Sequence, residues 1–240
     1  MDIRGFIETS FLDWDGKVAS VVFLPNCNFK CPFCDNGILI ESPEKLAEVK
    51  IELIEDFIRG RKDFIDGVVI TGGEPTIHPW LPDLIKRFKK LGVLVKLDTN
   101  GSNPNHGSTE LAEVLTTLIT NHLIDYIAMD LKSPLNEKYH EAAGVKVDLN
   151  KIKESIKVIM DSGIDYEFRT TVVPTLHDET DILEMAKSIA GAKKFVLQQF
   201  VPDHTLDEKL RIIAPYPKEK ILSLVETAKK HVPPTIARGI

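Results

Sequence analysis

From Val18 onward the chain alternates short β-rich runs with stretches of helical spacing, and this alternation constrains the fold more than any other feature. A strand, a crossover helix and a further strand favour a parallel sheet with helices outside it. The first twenty-four residues read as a hairpin, with 1–17 lying ahead of the core: Phe6-Ile7 leads to Phe11-Leu12, Asp15-Gly16 marks a turn and Val18 to Leu24 forms the returning run. Ser42-Pro43-Glu44 has the form of a helix start, with an apolar stripe at Leu46, Val49, Leu53 and Phe57. The strand Gly67–Thr71, a helix from Leu81 to Leu91 and the strand Val93–Asp98 follow. Ser108 opens a helix through Leu111, Leu115 and Leu118, and Tyr126–Leu131 is the next strand. The helix marked by Leu149, Ile152, Ile156 and Ile159 precedes the strand Tyr166–Val173. The helix Ile182–Ile189, the strand Phe195–Phe200 and the helix Lys218–Lys230 complete six strand–helix units. Eight would close a barrel. Six predict an α/β fold of the partial (β/α)6 TIM-like barrel kind, a parallel sheet with outer helices and the N-terminal hairpin. No Ser/Gly linker or composition break interrupts the 240 residues, so the expectation is one domain with its core over residues 18–231.

Composition narrows the function classes. At 43% hydrophobic and 28% charged residues the chain belongs with globular proteins, not disordered ones. A formal charge of −6 argues against a nucleic-acid partner. No run of eighteen apolar residues spans a membrane, and Met1-Asp2-Ile3-Arg4-Gly5 lacks the form of a secretory signal, so a cytoplasmic location is expected. The only three cysteines fall within eight residues, unlike a disulfide scaffold.

In parallel α/β folds functional groups gather at the carboxyl ends of strands. The cysteines follow the first core strand, Gly72-Gly73-Glu74-Pro75 the second and Asp98-Thr99-Asn100-Gly101 the third. Asp130 and Lys132 end the fourth strand, and Arg169 lies on the fifth. The spacing Cys27-x3-Cys31-x2-Cys34 offers three soft thiolates to zinc or to an iron–sulfur cluster. Structural zinc wants four ligands, which a histidine or Asp35 would have to complete. A cubane held at three corners leaves one iron open to a small molecule. His78 reads as a cap of the next helix and His177-Asp178 as a loop start.

The loop Cys27-Asn28-Phe29-Lys30-Cys31-Pro32-Phe33-Cys34, with Gly72-Gly73-Glu74-Pro75 about forty residues later, resembles the signature of radical S-adenosylmethionine (SAM) enzymes. Over nearly its whole length the chain looks like the glycyl-radical-enzyme activases. It is most similar to the single-cluster activating proteins of anaerobic ribonucleoside-triphosphate reductases. The segments Gly5–Trp14, Asp98–Gly101 and Met129–Lys132 carry that finer likeness. The pattern departs in three places. Asp35 stands where the family usually has His after the third cysteine, Asp15 where Pro is frequent, and Asn26 where Gly precedes the first cysteine.

The resemblance implies a 4Fe–4S cluster on Cys27, Cys31 and Cys34, with SAM chelating the open iron. An electron from the cluster then breaks the sulfonium C–S bond to give a 5′-deoxyadenosyl radical. It further implies that Gly72 and Gly73 let the main chain approach the methionine part, that Glu74 faces its ammonium, and that Phe33 lies by the adenine. Asp98, Thr99 and Asp130 would gather around a monovalent cation, and Lys132 and Arg169 would neutralise the SAM carboxylate. The implied partners are a glycyl-radical protein, anaerobic ribonucleotide reductase, as substrate and a reduced flavodoxin or ferredoxin as electron donor. Two alternatives stay open. One is a radical SAM enzyme acting on a small molecule, such as a deazapurine synthase, or on another glycyl-radical enzyme. The other is a non-catalytic zinc-binding module.

Overall fold

The computed structural model describes residues 1–103 and 114–240, which form two compact units. The first comprises Met1–Asn28, Ile38–Thr99 and Asn103–Ile127; the second comprises Phe29–Gly37, Asn100–Ser102 and Ala128–Ile240. The strands are β1 (Gly5–Ser10), β2 (Ala19–Leu24), β3 (Gly67–Gly72), β4 (Leu94–Thr99), β5 (Tyr126–Asp130), β6 (Asp165–Val172), β7 (Phe195–Gln199) and β8 (Thr235–Arg238). The helices are α1 (Gly37–Glu41), α2 (Ile51–Arg59), α3 (Leu81–Lys90), α4 (Val114–Thr120), α5 (Lys138–Ala143), α6 (Leu149–Asp161), α7 (Glu179–Ser188) and α8 (Lys218–Lys229). Within each unit strand order follows chain order, as expected for a parallel sheet of the α/β class.

In the first unit β1 runs antiparallel to β2, with Phe6 opposite Val22. Strands β2, β3 and β4 are parallel, with Val21 opposite Val69 and Val69 opposite Lys96. Trp14, from the loop after β1, closes a core of Ala19, Val21 and Val69. It fills the space that a side chain at Gly67 would need, since a Cβ there would lie 2.7 Å from its ring. In the second unit β6, β7 and β8 are parallel, with Thr170 opposite Leu197 and Leu197 opposite Ala237. Phe168, Phe195 and Leu197 are fully buried. Each such side chain contributes roughly 1.5–3 kcal/mol by leaving water.

Several sequence expectations change. Phe11 and Leu12 do not extend β1; they lie in the loop after it, 65% and 81% exposed. Ser42-Pro43-Glu44 starts only a 3-10 turn over Pro43–Lys45, and Leu46 is already extended at φ −90°, ψ 139°. The helix begins at Ile51 and buries Ile51, Ile54 and Ile58, leaving Leu53 65% exposed. The stripe through Leu46 and Val49 has helical spacing by coincidence, because the Val49 N–H is drawn to the Ile3 carbonyl, 2.9 Å away. Helices α1 and α5 and strand β8 are additions to the sequence reading. Ser108 and Leu111 lie outside the described residues, while Leu115 and Leu118 are buried on α4. No helix among the described residues is long and apolar enough to cross a membrane.

Candidate metal and cofactor site

The cysteine loop leaves the end of β2, the first core strand. Its approach is fixed by tight backbone packing. Asn26 adopts φ +63°, in the left-handed region where glycine is preferred and asparagine is the next most tolerated residue. The position therefore makes a backbone demand that either glycine or asparagine can meet. Replacing Asn26 with Gly is expected to leave the urea unfolding midpoint nearly unchanged. Asn26→Val is expected to cost about 1–2 kcal/mol, and an unchanged midpoint for valine would contradict this account.

The Asn26 N–H donates to the Leu39 carbonyl (2.8 Å), and the Asn26 carbonyl accepts from the Glu74 N–H (2.9 Å). The Gly73 N–H donates to the Leu24 carbonyl at 2.9 Å. Gly72 has φ +119°, and a Cβ on it would fall 2.3 Å from the Leu24 oxygen. A Cβ on Gly73 would fall 1.8 Å from the Asn26 oxygen. The two glycines thus have a structural reason independent of any ligand: they let β3 back directly onto the chain entering Cys27.

Glu74 is 1% exposed, and its Oε1 accepts three hydrogen bonds, from the Thr76 N–H (3.0 Å), the Thr76 hydroxyl (2.6 Å) and the Thr99 hydroxyl (2.7 Å). Asn103 Nδ2 donates to the Thr76 hydroxyl at 3.0 Å. A buried carboxylate held this way is positioned by its surroundings, not by its own rotamer freedom. Asp98 Oδ1 lies 3.4 Å from the ammonium of Lys96, which is 2% exposed on the same strand. Lys96 also donates to the Asp13 carbonyl and sits 5.6 Å from the centroid of the Tyr126 ring. So Thr99 is spent on Glu74, and Asp98 has a cation supplied by the chain itself. His78 Nε2 donates to the Pro25 carbonyl at 2.8 Å, and its ring stacks on Trp80 at 4.6 Å. Burial lowers its pKa, although the Pro25 contact opposes this. Its side chain thus ties down the residue two before Cys27, a role beyond capping the next helix.

In the second unit Cys31 is buried and Cys34 partly so. The Cys34 N–H donates to the Cys31 carbonyl (3.0 Å), the Lys30 N–H to Ala143 (2.9 Å), and the Leu206 and Asp207 N–H groups to Cys34 (3.1 Å) and Pro32 (2.8 Å). Burial raises the Cys31 pKa to about 11 and raises that of Cys34 as well, with Lys132 opposing both shifts. Asp35 is exposed, and its charge adds to the rise at Cys34.

Asp130 accepts from Lys132 Nζ at 3.0 Å and from Arg169 Nε at 2.9 Å. Burial would raise its pKa, but Arg169 and Lys132 outweigh that and hold it at about 2. Side-chain exposures of 29%, 17% and 11% for Asp130, Lys132 and Arg169 rule out surface ion pairs. The triad carries one net positive charge. Phe33 is 8% exposed, with Lys132 Nζ 5.9 Å from its ring centroid and the His177 ring meeting it edge-on at 6.5 Å. His177 Nδ1 accepts the Val173 N–H (3.0 Å), so Nε2 carries the proton that goes to the Lys132 carbonyl at 2.8 Å. His177 is a bracket for Lys132 more than a loop start. His78, Asn103 and His177 had no local sequence signal, because their partners lie far along the chain or are main-chain atoms, whereas Thr76 bonds Glu74 only two residues before it.

The donors suit an iron–sulfur cubane. Three thiols on a backbone-braced loop are soft ligands, and the sequence holds no fourth cysteine. Among the described residues no three His, Cys, Asp or Glu side chains gather tightly enough to hold a single metal ion. A cubane spreads its thiolates over separate irons and does not require that.

Comparison with known proteins agrees. The pattern of the Radical SAM superfamily matches residues 21–189. A Methanocaldococcus jannaschii protein described as a candidate glycyl-radical enzyme activating enzyme is 36% identical over 99% of this chain and 96% of its own length. The pyruvate formate-lyase-activating enzyme of Clostridium pasteurianum is 27% identical over 89% of this chain and 91% of its own. The solved structure of Streptococcus suis SuiB bound to S-adenosylmethionine matches 91% of this chain with a TM-score of 0.66 at 15% identity, a likeness of fold. The matched part is 52% of the SuiB chain, so this chain spans about half its length.

Proposed function

Because the chain belongs to the radical SAM superfamily, and within it to the glycyl-radical-enzyme activases, we propose that it installs the glycyl radical of an anaerobic ribonucleotide reductase. The cofactors of this family are a 4Fe–4S cluster and SAM. Bound together they supply one-electron cleavage of a sulfonium C–S bond and a carbon radical able to take hydrogen from a glycine Cα. The rest is the work of this chain's side chains.

Cys27, Cys31 and Cys34 hold three irons. Glu74, its Oε1 fixed by Thr76 and Thr99, would receive the ammonium of SAM. The Asp130–Lys132–Arg169 triad presents its net positive charge to the SAM carboxylate, a pairing suited to a guanidinium. Phe33 offers an apolar face to the adenine. Asp98 and Thr99 line the same strand end, where a monovalent cation would have to compete with Lys96 for Asp98. The electron comes from a reduced flavodoxin or ferredoxin, and the chain works in the cytoplasm as one radical SAM core domain.

The three-thiol loop with no fourth cysteine carries this reading. The finer choice of partner rests on the segments Gly5–Trp14 and Met129–Lys132. The test is anaerobic incubation of the reconstituted protein with SAM, a reductant and an anaerobic ribonucleotide reductase. A glycyl radical doublet in the electron paramagnetic resonance spectrum is expected. SAM cleavage without that signal would reject the reductase as substrate and keep the superfamily chemistry.

A further inference from the structure

Lysine is rarely buried, yet Lys96 is 2% exposed in the middle of β4, opposite Val69. Alternation along the strand puts it on the same face as Asp98, two residues on. Its ammonium has three neighbours within the first unit. Asp98 Oδ1 lies 3.4 Å away, the Asp13 carbonyl accepts a hydrogen bond from it, and the centroid of the Tyr126 ring is at 5.6 Å. An ammonium so far from water persists because it is paired and hydrogen-bonded.

The pairing lies at the strand end that the resemblance assigns to a monovalent cation, and it changes what Asp98 can do there. Lys96 and Asp98 together carry no net charge. A mobile cation added to Asp98 would stand beside the ammonium, and like charges at that separation in a water-poor interior repel strongly. Asp130, the other carboxylate implied for such an ion, is likewise answered inside its own unit, by Lys132 Nζ at 3.0 Å and Arg169 Nε at 2.9 Å. The donor set therefore does not fit a further cation: each carboxylate already has one built from the chain.

We propose that Lys96 is a built-in counter-ion of Asp98, its ammonium standing in for the monovalent cation, so that this chain binds SAM without sodium or potassium. This rests on the reading of the Asp98 strand end as part of the SAM site. Lys96 is a positioning residue that holds Asp98 and touches no reactant. Because the ammonium is tethered to the chain, its charge is present whatever the surrounding salt. Its bond to Asp13 also ties the loop after β1 to β4, a structural role that the test separates from the electrostatic one.

The test measures SAM binding to the cluster-reconstituted protein and the urea midpoint of the cluster-free protein. Both are measured in potassium, sodium and choline chloride at equal ionic strength, choline being too large to seat among these oxygens. For the unaltered protein both quantities should be the same in every salt. An ion beside SAM would couple to it, and since such couplings are typically about 5- to 150-fold, SAM binding tighter by about fivefold or more in potassium or sodium than in choline would overturn the proposal. Lys96→Met keeps the stem and ends one atom short of the ammonium, which leaves Asp98 Oδ1 and the Asp13 carbonyl facing the vacated position. Its midpoint should fall in choline and recover in part in potassium or sodium, because an ion that binds only the folded state stabilises it in proportion to the logarithm of its occupancy. An equal fall in every salt would make Lys96 a structural tie alone and overturn the proposal. Should that variant not fold in any salt, Lys96→Met combined with Asp98→Asn, which removes both charges, should fold and show no ion response; an ion response without the carboxylate would overturn the assignment. Failure of the unaltered protein to bind SAM in every salt would instead reject the SAM reading, and the urea midpoints would still decide whether Lys96 is the counter-ion of Asp98.

Discussion

Cys31→Ala is expected to reduce SAM cleavage to background and to lower iron and sulfide incorporation, while leaving most of the fold in place. Cys31 lies between the other two thiols in sequence, and its carbonyl, not its sulfur, accepts the Cys34 N–H. The loop is held by main-chain bonds from Lys30, Leu206 and Asp207, none of which needs the thiol. Removing the sulfur from a 6% exposed position takes away a small apolar contact and one ligand of a set that has no spare. Circular dichroism and the unfolding midpoint should therefore change little, while anaerobic assay for 5′-deoxyadenosine should find none above a no-enzyme control. Retained 5′-deoxyadenosine formation would sink the ligand assignment.

Gly73→Ala is expected to act in the opposite way, through the fold first and the chemistry second. The new Cβ would stand 1.8 Å from the Asn26 oxygen and 2.5 Å from its carbonyl carbon. Both are backbone atoms, so no side chain can swing aside. The strain of forcing the strands apart should cost about 3 kcal/mol or more, read as a lower urea midpoint, and should displace Cys27 by moving the chain that leads into it. Gly163→Ala is the matched control. Gly163 has φ +76° but nothing within 4 Å of its Cβ position, so its cost should be only the conformational one, about 1–2 kcal/mol. Equal midpoints for the two variants would mean that crowding at Gly73 is not what fixes the residue.

The alternation of strands and helices was legible because buried parallel strands such as Val68–Ile70 and one-faced helices such as α6 write their period into the sequence. The error at Ser42–Val49 came from a stripe whose spacing fits a helix although Pro43 supports only a single 3-10 turn. Strand β8 has four residues, and α5 is short with few apolar positions; neither is long enough for a period to show. At the site the cysteines were legible because their chemistry is intrinsic to the residue. The braces were not. His78 reaches Pro25 and His177 reaches Lys132, and a hydrogen bond from a ring to a distant carbonyl leaves no pattern in either segment. Asn26 shows the converse case, in which the residue that departs from the resembled pattern takes a left-handed conformation that glycine tolerates best.

The brace from Leu206 and Asp207 also bears on biosynthesis. The three thiols leave the ribosome early, but the main-chain groups that clamp Pro32 and Cys34 follow about 170 residues later. At roughly 5–20 residues per second of elongation, the nascent chain carries bare thiols for about ten to thirty seconds before the clamp has been made. The ligands made first are thus the last to be locked.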